Sequence, residues 1–250
     1  MIRVAVSSLA LILVATSTPA AAPSPAIAAA VADPSRPAAD RDRDPERKPA
    51  EMLGFAGVAP GMVVVDMLPG GGYFTRLFSN VVGPSGKVIA YVPDEMLAKY
   101  PKSMNGATAV AAEPSHQNVQ VEHNPLLAPG PDNVADVVWT SQNYHDLHNI
   151  PGADLVALNK LIYRSLRPGG VYVVLDHSAP AGSGVATTDT LHRIDEAVVR
   201  KEVEAAGFKF DGESKLLANA ADPRTAAVFD PSIRGHTDQF ILRFRKPGGK

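Results

Sequence analysis

Two periodicities of apolar residues succeed one another along most of the chain. Stretches such as 62–66 and 171–175 are apolar at nearly every position, as in strands that are buried on both faces. Segments such as 73–82 and 153–166 instead repeat apolar residues at helical spacing, which is typical of helices with one buried face. The alternation predicts strands joined by crossover helices, that is, an α/β fold with a mostly parallel sheet.

The pattern predicts seven strands, and the last two are expected to form a hairpin. The final apolar run, 239–245, leads into the chain end without a following helix, so we expect it to pair antiparallel with its predecessor. A helix is also predicted to start at Asp44, because Pro45 suits a first helical turn. The predicted strands are 62–66, 88–92, 119–123, 135–141, 171–178, 208–217 and 239–245, and the other predicted helices are 73–82, 94–100, 153–166 and 188–206.

The N-terminal residues have the pattern of an export signal. Arg3 precedes an apolar run from Val4 to Val14, and small residues follow up to Ala22. Residues 1–22 are therefore predicted to be a cleavable signal peptide, because the run is too short to span a bilayer. An uncleaved anchor or a buried helix is the alternative. We expect a periplasmic or secreted protein, with no stable membrane span after cleavage.

The segment 23–39 is rich in Ala, Pro and Ser and is predicted to be an extended linker, so that the folded domain spans 40–250. The whole chain has 24 basic and 26 acidic residues and a net charge of -2. This balance offers no electrostatic surface for nucleic acids and favours small-molecule or protein partners; a small-molecule substrate is predicted. The chain has no cysteine, which excludes a disulfide framework and a lipidated cysteine anchor.

Five segments, in their order along the chain, resemble the landmarks of class I S-adenosylmethionine (SAM)-dependent methyltransferases. They are "VVVDMLPGGGYFTRL", "VVGPSGKVIAYVP", "ADVVWTSQNYHDLHN", "LRPGGVYVVLDHS" and "EVEAAGFKF". The resemblance implies a Rossmann-like seven-stranded methyltransferase fold with a C-terminal antiparallel hairpin, and SAM as cofactor. Within this family, the chain is most similar to exported predicted methyltransferases.

The glycine cluster after the first strand is the predicted cofactor loop. Ligands of open α/β sheets bind at the carboxyl ends of strands, and Gly70, Gly71 and Gly72 allow backbone N–H groups to approach them closely. A tight turn that binds no ligand is the alternative. The resemblance places Asp66 near the amino end of the methionine moiety and Tyr73 at the start of the helix beneath it.

Two positions depart from the family pattern. Leu68 stands where the family has its first glycine, and Pro69 follows it. Val92 stands where the family has an acidic residue that binds the ribose hydroxyls. Asp94 is the nearest acidic replacement, provided that the strand end is shifted.

Histidines cluster at the predicted carboxyl ends of the fourth and fifth strands. His145 follows the fourth strand, His177 ends the fifth, and His192 lies at the next predicted helix. Histidine suits proton removal near neutral pH, so His145 is the predicted general base, with His177 and His192 as further catalytic candidates. The predicted activity is methyl transfer to a small-molecule acceptor.

Two other functions remain open at this point. His145, Asp146, His148 and His177 offer imidazole and carboxylate ligands, so a metal-assisted enzyme is possible; no metal is predicted, because their spacing matches no known site. Alternatively, the chain is an exported binding protein that has lost the cofactor. Basic residues before the first strand are interpreted as a solvated helix face, with a lid over the cofactor as the alternative; they are Arg41, Arg43, Arg47 and Lys48.

Overall fold

A computed structural model describes residues 23–128 and 130–248. The predicted signal peptide, residues 1–22, lies outside the described residues and stays a prediction. The described part contains one seven-stranded sheet with the order β3-β2-β1-β4-β5-β7-β6, so the predicted fold class is confirmed. The strands are β1 (Val63–Met67), β2 (Lys87–Pro93), β3 (Val119–Asn124), β4 (Ala135–Ser141), β5 (Leu166–His177), β6 (Lys209–Ser214) and β7 (Gln239–Arg245).

Helices cover both faces of this sheet. Within the described residues, no helix combines the length and the apolar character that a membrane crossing requires. The helices are α1 (Pro25–Ala32), α2 (Ala38–Arg41), α3 (Asp44–Arg47), α4 (Pro49–Ala56), α5 (Tyr73–Val82), α6 (Asp94–Lys99), α7 (Asn105–Ala111), α8 (Tyr144–Leu147), α9 (Leu155–Ser165) and α10 (Glu196–Ala205), with a 3₁₀ turn at Pro114–His116.

All strands of the sheet except β7 run in the same direction. Strands β3, β2, β1, β4 and β5 run parallel, and β7 lies antiparallel between β5 and β6, which confirms the predicted terminal hairpin. Each face has its own apolar core. Trp139 lies in the core beneath α1, α4 and α5, and Tyr172 lies in the core beneath α8, α9 and α10. The parallel strands therefore bring the carboxyl ends of β1, β4 and β5 to one edge of the sheet.

The expectation of an extended linker is wrong for Pro25–Ala32, which form α1. The hydroxyl of Ser24 accepts a hydrogen bond from the backbone N–H of Ile27, and Pro25 occupies the first turn. Ile27 and Ala30 are buried in the core against α5. Alanine is the best helix former and proline fits a first helical turn, so the same composition also suits a short packed helix.

The helix predicted over 188–206 is shorter than the apolar pattern indicates. It begins at Glu196, where the Asp195 side chain accepts a hydrogen bond from the backbone N–H of Ala197. The residues before it form turns, and His192 has a φ of 54°. Asp195 is a favourable N-cap, and a residue with positive φ cannot continue a right-handed helix. The chain is consequently free to direct His192 toward the sheet edge.

Candidate active site

A cavity of about 590 Å³ lies at the carboxyl ends of β1, β4 and β5. Its wall contains the loop after β1, the segment after β4 and the end of β5. A second cavity of about 570 Å³ adjoins it and shares Arg47, Gln142 and His177 with it. This is the position at which open α/β sheets bind their ligands.

The three glycines of the loop have different surroundings. A Cβ atom at Gly70 or Gly71 would meet nothing within 4 Å, and both residues line the cavity. A Cβ at Gly72 would lie 2.5 Å from Cγ2 of Val110 in α7, and Gly72 does not line the cavity. Gly70 and Gly71 thus offer open backbone to a ligand, whereas Gly72 is required for packing, contrary to its predicted place at the ligand.

Leu68 lies where the family has glycine, and it keeps a glycine-like backbone. Its φ is 55°, its side chain is buried, and it lines the cavity. An L-residue in the left-handed region costs about 1–2 kcal/mol relative to its preferred conformation. The turn is therefore strained at Leu68, which places an apolar side chain at the cavity wall.

Asp66 presents a buried carboxylate to the cavity. The residue is 2% exposed, and its Oδ2 accepts a hydrogen bond of 2.7 Å from the hydroxyl of Thr75. Burial raises the pKa of Asp66 to about 7, against the opposing effects of Thr75 and Arg47. A desolvated carboxylate favours a cationic partner, so the site suits the ammonium group of an amino-acid ligand.

Tyr73 opens α5 and lines the cavity with its ring, as predicted for the start of this helix. Its hydroxyl donates a hydrogen bond of 2.6 Å to Asp44, which also pairs with the buried Arg36. Burial, followed by the bond to Asp44, raises the pKa of Tyr73 well above its ordinary value. The hydroxyl is thus held neutral, and α3 is fixed beside the glycine loop.

Arg47 is a cation at the cavity without a carboxylate partner among the described residues. Its guanidinium donates to Oε1 of Gln142 at 3.2 Å and lies 4.8 Å from the ring centroid of Tyr73. Burial, followed by repulsion from Arg43, lowers the pKa of Arg47 to about 10. The expectation of a solvated helix face is therefore wrong for Arg47, which can accept an anionic ligand group.

The structure does not bring Asp94 to the cavity. Its carboxylate lies 2.7 Å from Nδ1 of His123 at an exposed position, and Val92 is fully buried in the core. Met96 and Tyr100 line this side of the cavity instead. The predicted ribose contact through Asp94 has no support in this geometry.

Two orphaned hydroxyls provide an independent sign of a polar ligand. Ser103 Oγ and Ser141 Oγ are buried without a hydrogen-bond partner among the described residues, and both residues line the cavity. Unsatisfied buried polar atoms are uncommon and call for a partner. Together with Asp66 and the open backbone of Gly70 and Gly71, they fit a ligand with an ammonium group and sugar hydroxyls, such as SAM.

His145 lines the cavity and forms a buried pair with Asp176. Asp176 accepts two hydrogen bonds of 2.8 Å, from Nδ1 and from the backbone N–H of His145. Burial opposes protonation of His145, but the charge of Asp176 outweighs it and raises the pKa of the imidazole. Burial also opposes ionisation of Asp176, but the pairing with His145 outweighs it and lowers the pKa of the carboxyl. With Nδ1 held as a donor, Nε2 is left to accept a proton.

His192 reaches this pair from the loop before α10. Its Nδ1 lies 3.2 Å from Nε2 of His145, and Asp146 Oδ1 lies 3.5 Å from each of these nitrogens. These three side chains form the one group of potential metal ligands found in the described part of the chain. His192 therefore lies beside His145, and its catalytic role stays a prediction.

The other two residues of the alternative metal set, His148 and His177, do not join this group. His177 lines the cavity, but its Nδ1 lies 2.8 Å from the hydroxyl of Thr237, and burial lowers its pKa to about 4. His148 lies 3.2 Å from Glu202 and does not line the cavity. The four-residue set His145, Asp146, His148 and His177 is therefore not assembled.

Backbone strain is concentrated at this cavity. Six described non-glycine residues have positive φ, and three of them line it, namely Leu68, Gln142 and His192. Strained conformations persist where the surrounding structure imposes them, and they cluster at functional sites.

Part of the cavity wall comes from a segment that no sequence pattern singled out. Val228 and Phe229 line the cavity, and the Phe229 ring lies 4.9 Å from the ring of His192. The fully buried pair of Arg193 and Asp222, with a contact of 2.8 Å, anchors the segment. In the sequence it is a long polar stretch without periodicity, so only its position before β7 could have drawn attention to it.

Fold and site together define the chain as a Rossmann-like protein of the class I methyltransferase type. The chain belongs to the ubiE/COQ5 methyltransferase family, whose model matches residues 48–191. It is 36% identical to a ubiquinone/menaquinone biosynthesis C-methyltransferase UbiE of Pasteurella multocida over 183 residues, which are 70% of this chain. The chain spans 63% of the length of that curated relative.

Solved structures show the same fold. A SAM-dependent methyltransferase from Aquifex aeolicus matches with a TM-score of 0.56 and 20% identity, covering 80% of this chain and 88% of its own. The [4+2]-cyclase SpnF matches with a TM-score of 0.60 and 20% identity, covering 85% and 82%. Because one of these neighbours is described as a cyclase, the fold alone does not fix the reaction.

Proposed function

We propose that the chain is a SAM-dependent methyltransferase that acts on a small-molecule acceptor. One observation carries the proposal: a single cavity is lined both by Asp66 and the open backbone of Gly70 and Gly71 and by His145, whose imidazole pairs with Asp176. Family membership supports the choice of SAM, which supplies the methyl group when it is bound.

The cofactor end is built to hold an amino-acid group. Asp66 accepts hydrogen bonds from the ammonium group, and Arg47 binds the carboxylate. The backbone of Gly70 and Gly71 allows close approach, and Ser103 supplies a free hydroxyl to a polar group farther along. These contacts fix the position of the cofactor, which is how methyltransferases gain much of their rate.

His145 takes up the proton that methylation of the acceptor releases. Nε2 of His145 accepts it from the acceptor, while Asp176 holds the imidazole in the required tautomer and stabilises its positive charge. The imidazolium then donates a hydrogen bond to Nδ1 of His192. His177 remains neutral because of its low pKa and offers a polar wall to the acceptor.

Calorimetric titration with S-adenosylhomocysteine tests the cofactor site without knowledge of the acceptor. The matched variants are Gly71→Leu and Gly54→Leu. Gly71 has an ordinary φ and open space beyond its Cβ position, so the leucine fills the cavity without backbone strain. Gly54 is an exposed glycine of α4, outside the cavity, with equally open space.

We expect the unmodified chain and Gly54→Leu to bind the ligand and Gly71→Leu to lose binding at an unchanged melting temperature. If the unmodified chain gives no heat and no thermal shift at millimolar ligand, the proposed function is wrong. Equal binding by both variants would place the cofactor elsewhere.

We further propose that the protein is exported and acts in the periplasm or outside the cell. The charged, apolar and small-residue succession of residues 1–22 supports this. Mass spectrometry of the chain from a periplasmic fraction should give a mature N-terminus near residue 23. An intact Met1 on cytosolic protein would contradict export.

A further inference from the structure

We propose that His145, Asp146 and His192 form a binding site for one zinc ion, or a similar borderline divalent metal, on the wall of the active-site cavity. Their donor atoms are separated by 3.2 Å (Nε2 of His145 to Nδ1 of His192) and by 3.5 Å from each nitrogen to Oδ1 of Asp146. Two ligands of a tetrahedral zinc ion, each about 2.0–2.1 Å from the metal, are about 3.3 Å apart. The three atoms thus already form one face of a zinc tetrahedron.

The surroundings of His145 match those of a metal-bound histidine. Such histidines donate their second ring N–H to a carboxylate, which fixes the tautomer and raises ligand basicity. Asp176 makes this contact at 2.8 Å and is fully buried. The backbone N–H of His145 donates a second hydrogen bond to Asp176 and fixes the carboxylate further. The imidazole of His145 is thereby held with Nε2 directed at His192 before any metal binds.

The donor set selects the kind of ion. Two imidazoles and one carboxylate suit zinc, cobalt and related ions better than magnesium or calcium, which prefer oxygen ligands. Among the described residues, no lysine or arginine pairs with Asp146, whose ion-pair partners are the two histidines. All three residues line the cavity, so a fourth coordination position faces the space available to a small molecule.

A metal at this site has a regulatory consequence, which rests on the proposed function. The ion uses the lone pair of Nε2 of His145, the same lone pair that would take the acceptor's proton. Zinc and methyl transfer therefore compete for His145, and the metal inhibits proton removal without touching the cofactor end of the cavity.

The test uses Co²⁺ as a spectroscopic probe on the full chain, purified without a polyhistidine tag and freed of metal. We expect one Co²⁺ per chain with the strong visible absorption of a four- or five-coordinate ion, displaced by one equivalent of Zn²⁺. His192→Asn and Asp146→Asn should each weaken binding by at least about 100-fold, since ligand loss should exceed the 10–100-fold effect typical of changes around a metal site. Asparagine tolerates the positive φ at position 192.

His148→Gln is the matched control, because this histidine lies in the same segment but contacts Glu202 instead of the cluster. It should bind Co²⁺ like the unmodified chain. Binding that is equal in the unmodified chain, His192→Asn and Asp146→Asn would overturn the site, as would loss of binding in the control. Circular dichroism of each variant identifies any failure to fold.

S-adenosylhomocysteine binding, measured with and without Zn²⁺, separates this inference from the proposed function. We expect the affinity for this ligand to be unchanged by zinc. Cobalt binding without binding of S-adenosylhomocysteine would refute the proposed function and leave the metal site standing; the reverse result would remove only the metal site.

Discussion

Replacing Asp66 by asparagine should stabilise the protein and abolish its cofactor binding at the same time. The carboxylate is buried with one hydrogen-bond donor, the Thr75 hydroxyl, and its pKa rises from 3.8 to about 7. Between these pH values the folded state keeps a proton that the unfolded state has lost, so stability falls as pH rises. A difference of about three pKa units corresponds to at most about 4 kcal/mol at pH 8, and we expect about 2–4 kcal/mol.

The assay is urea unfolding of the unmodified chain and of Asp66→Asn at several pH values. The variant should be more stable at pH 8, and the difference should disappear below about pH 4, where both states of the unmodified chain bind the proton. Asp94→Asn is the control, because that exposed carboxylate lies outside the cavity. The reasoning is refuted if Asp66→Asn is no more stable at pH 8, or if it still binds S-adenosylhomocysteine with full affinity.

Three further changes test other parts of the site. Arg47→Gln should weaken the binding of S-adenosylhomocysteine about tenfold or more but leave the binding of 5′-methylthioadenosine, which lacks the carboxylate, unaffected. An equal loss of affinity for both ligands would contradict a carboxylate contact. Leu68→Gly should be about 1 kcal/mol more stable than Leu68→Ala in urea, because only glycine relieves the φ of 55°; the usual order, with alanine more stable, would disprove the strain. The pKa of His177 is about 4 in the folded state, against an ordinary value of 6.5. The neutral imidazole therefore contributes on the order of 3 kcal/mol of stability above pH 6.5, which is lost as the pH falls toward 4. In His177→Gln this pH dependence of stability should be weaker, and an unchanged acid unfolding profile would contradict it.

The strands were predictable because strands of a covered parallel sheet are apolar at nearly every position, and β4 and β7 match their predicted bounds. Helix α1 was not predictable, because an Ala/Pro-rich composition suits both a linker and a short helix. Only packing against α5 selects the helix. The helix before β6 was predicted too long because apolar periodicity continues through Leu191 and Ile194, whereas a cap and a positive φ determine where the helix starts.

The candidate site was predictable in location but not in its contacts. Parallel strands end at one edge, so His145 and His177, which follow neighbouring strands, were expected to lie there. Which side chains are in contact depends on the direction in which each one points, and the sequence does not show this direction. His192 points to His145, whereas His148 points to Glu202. Gly72 illustrates the same limit, since its reason for being glycine is a neighbouring helix.

The buried Arg193–Asp222 pair makes the cavity depend on a segment far along the chain. It ties the segment that carries Phe229 to the loop that carries His192, while the opposite wall comes from Arg47 near the start of the domain. The cavity thus needs residues from most of the length of the domain, from Arg47 to Phe229. A chain that ends before residue 222 therefore cannot form this wall of the cavity.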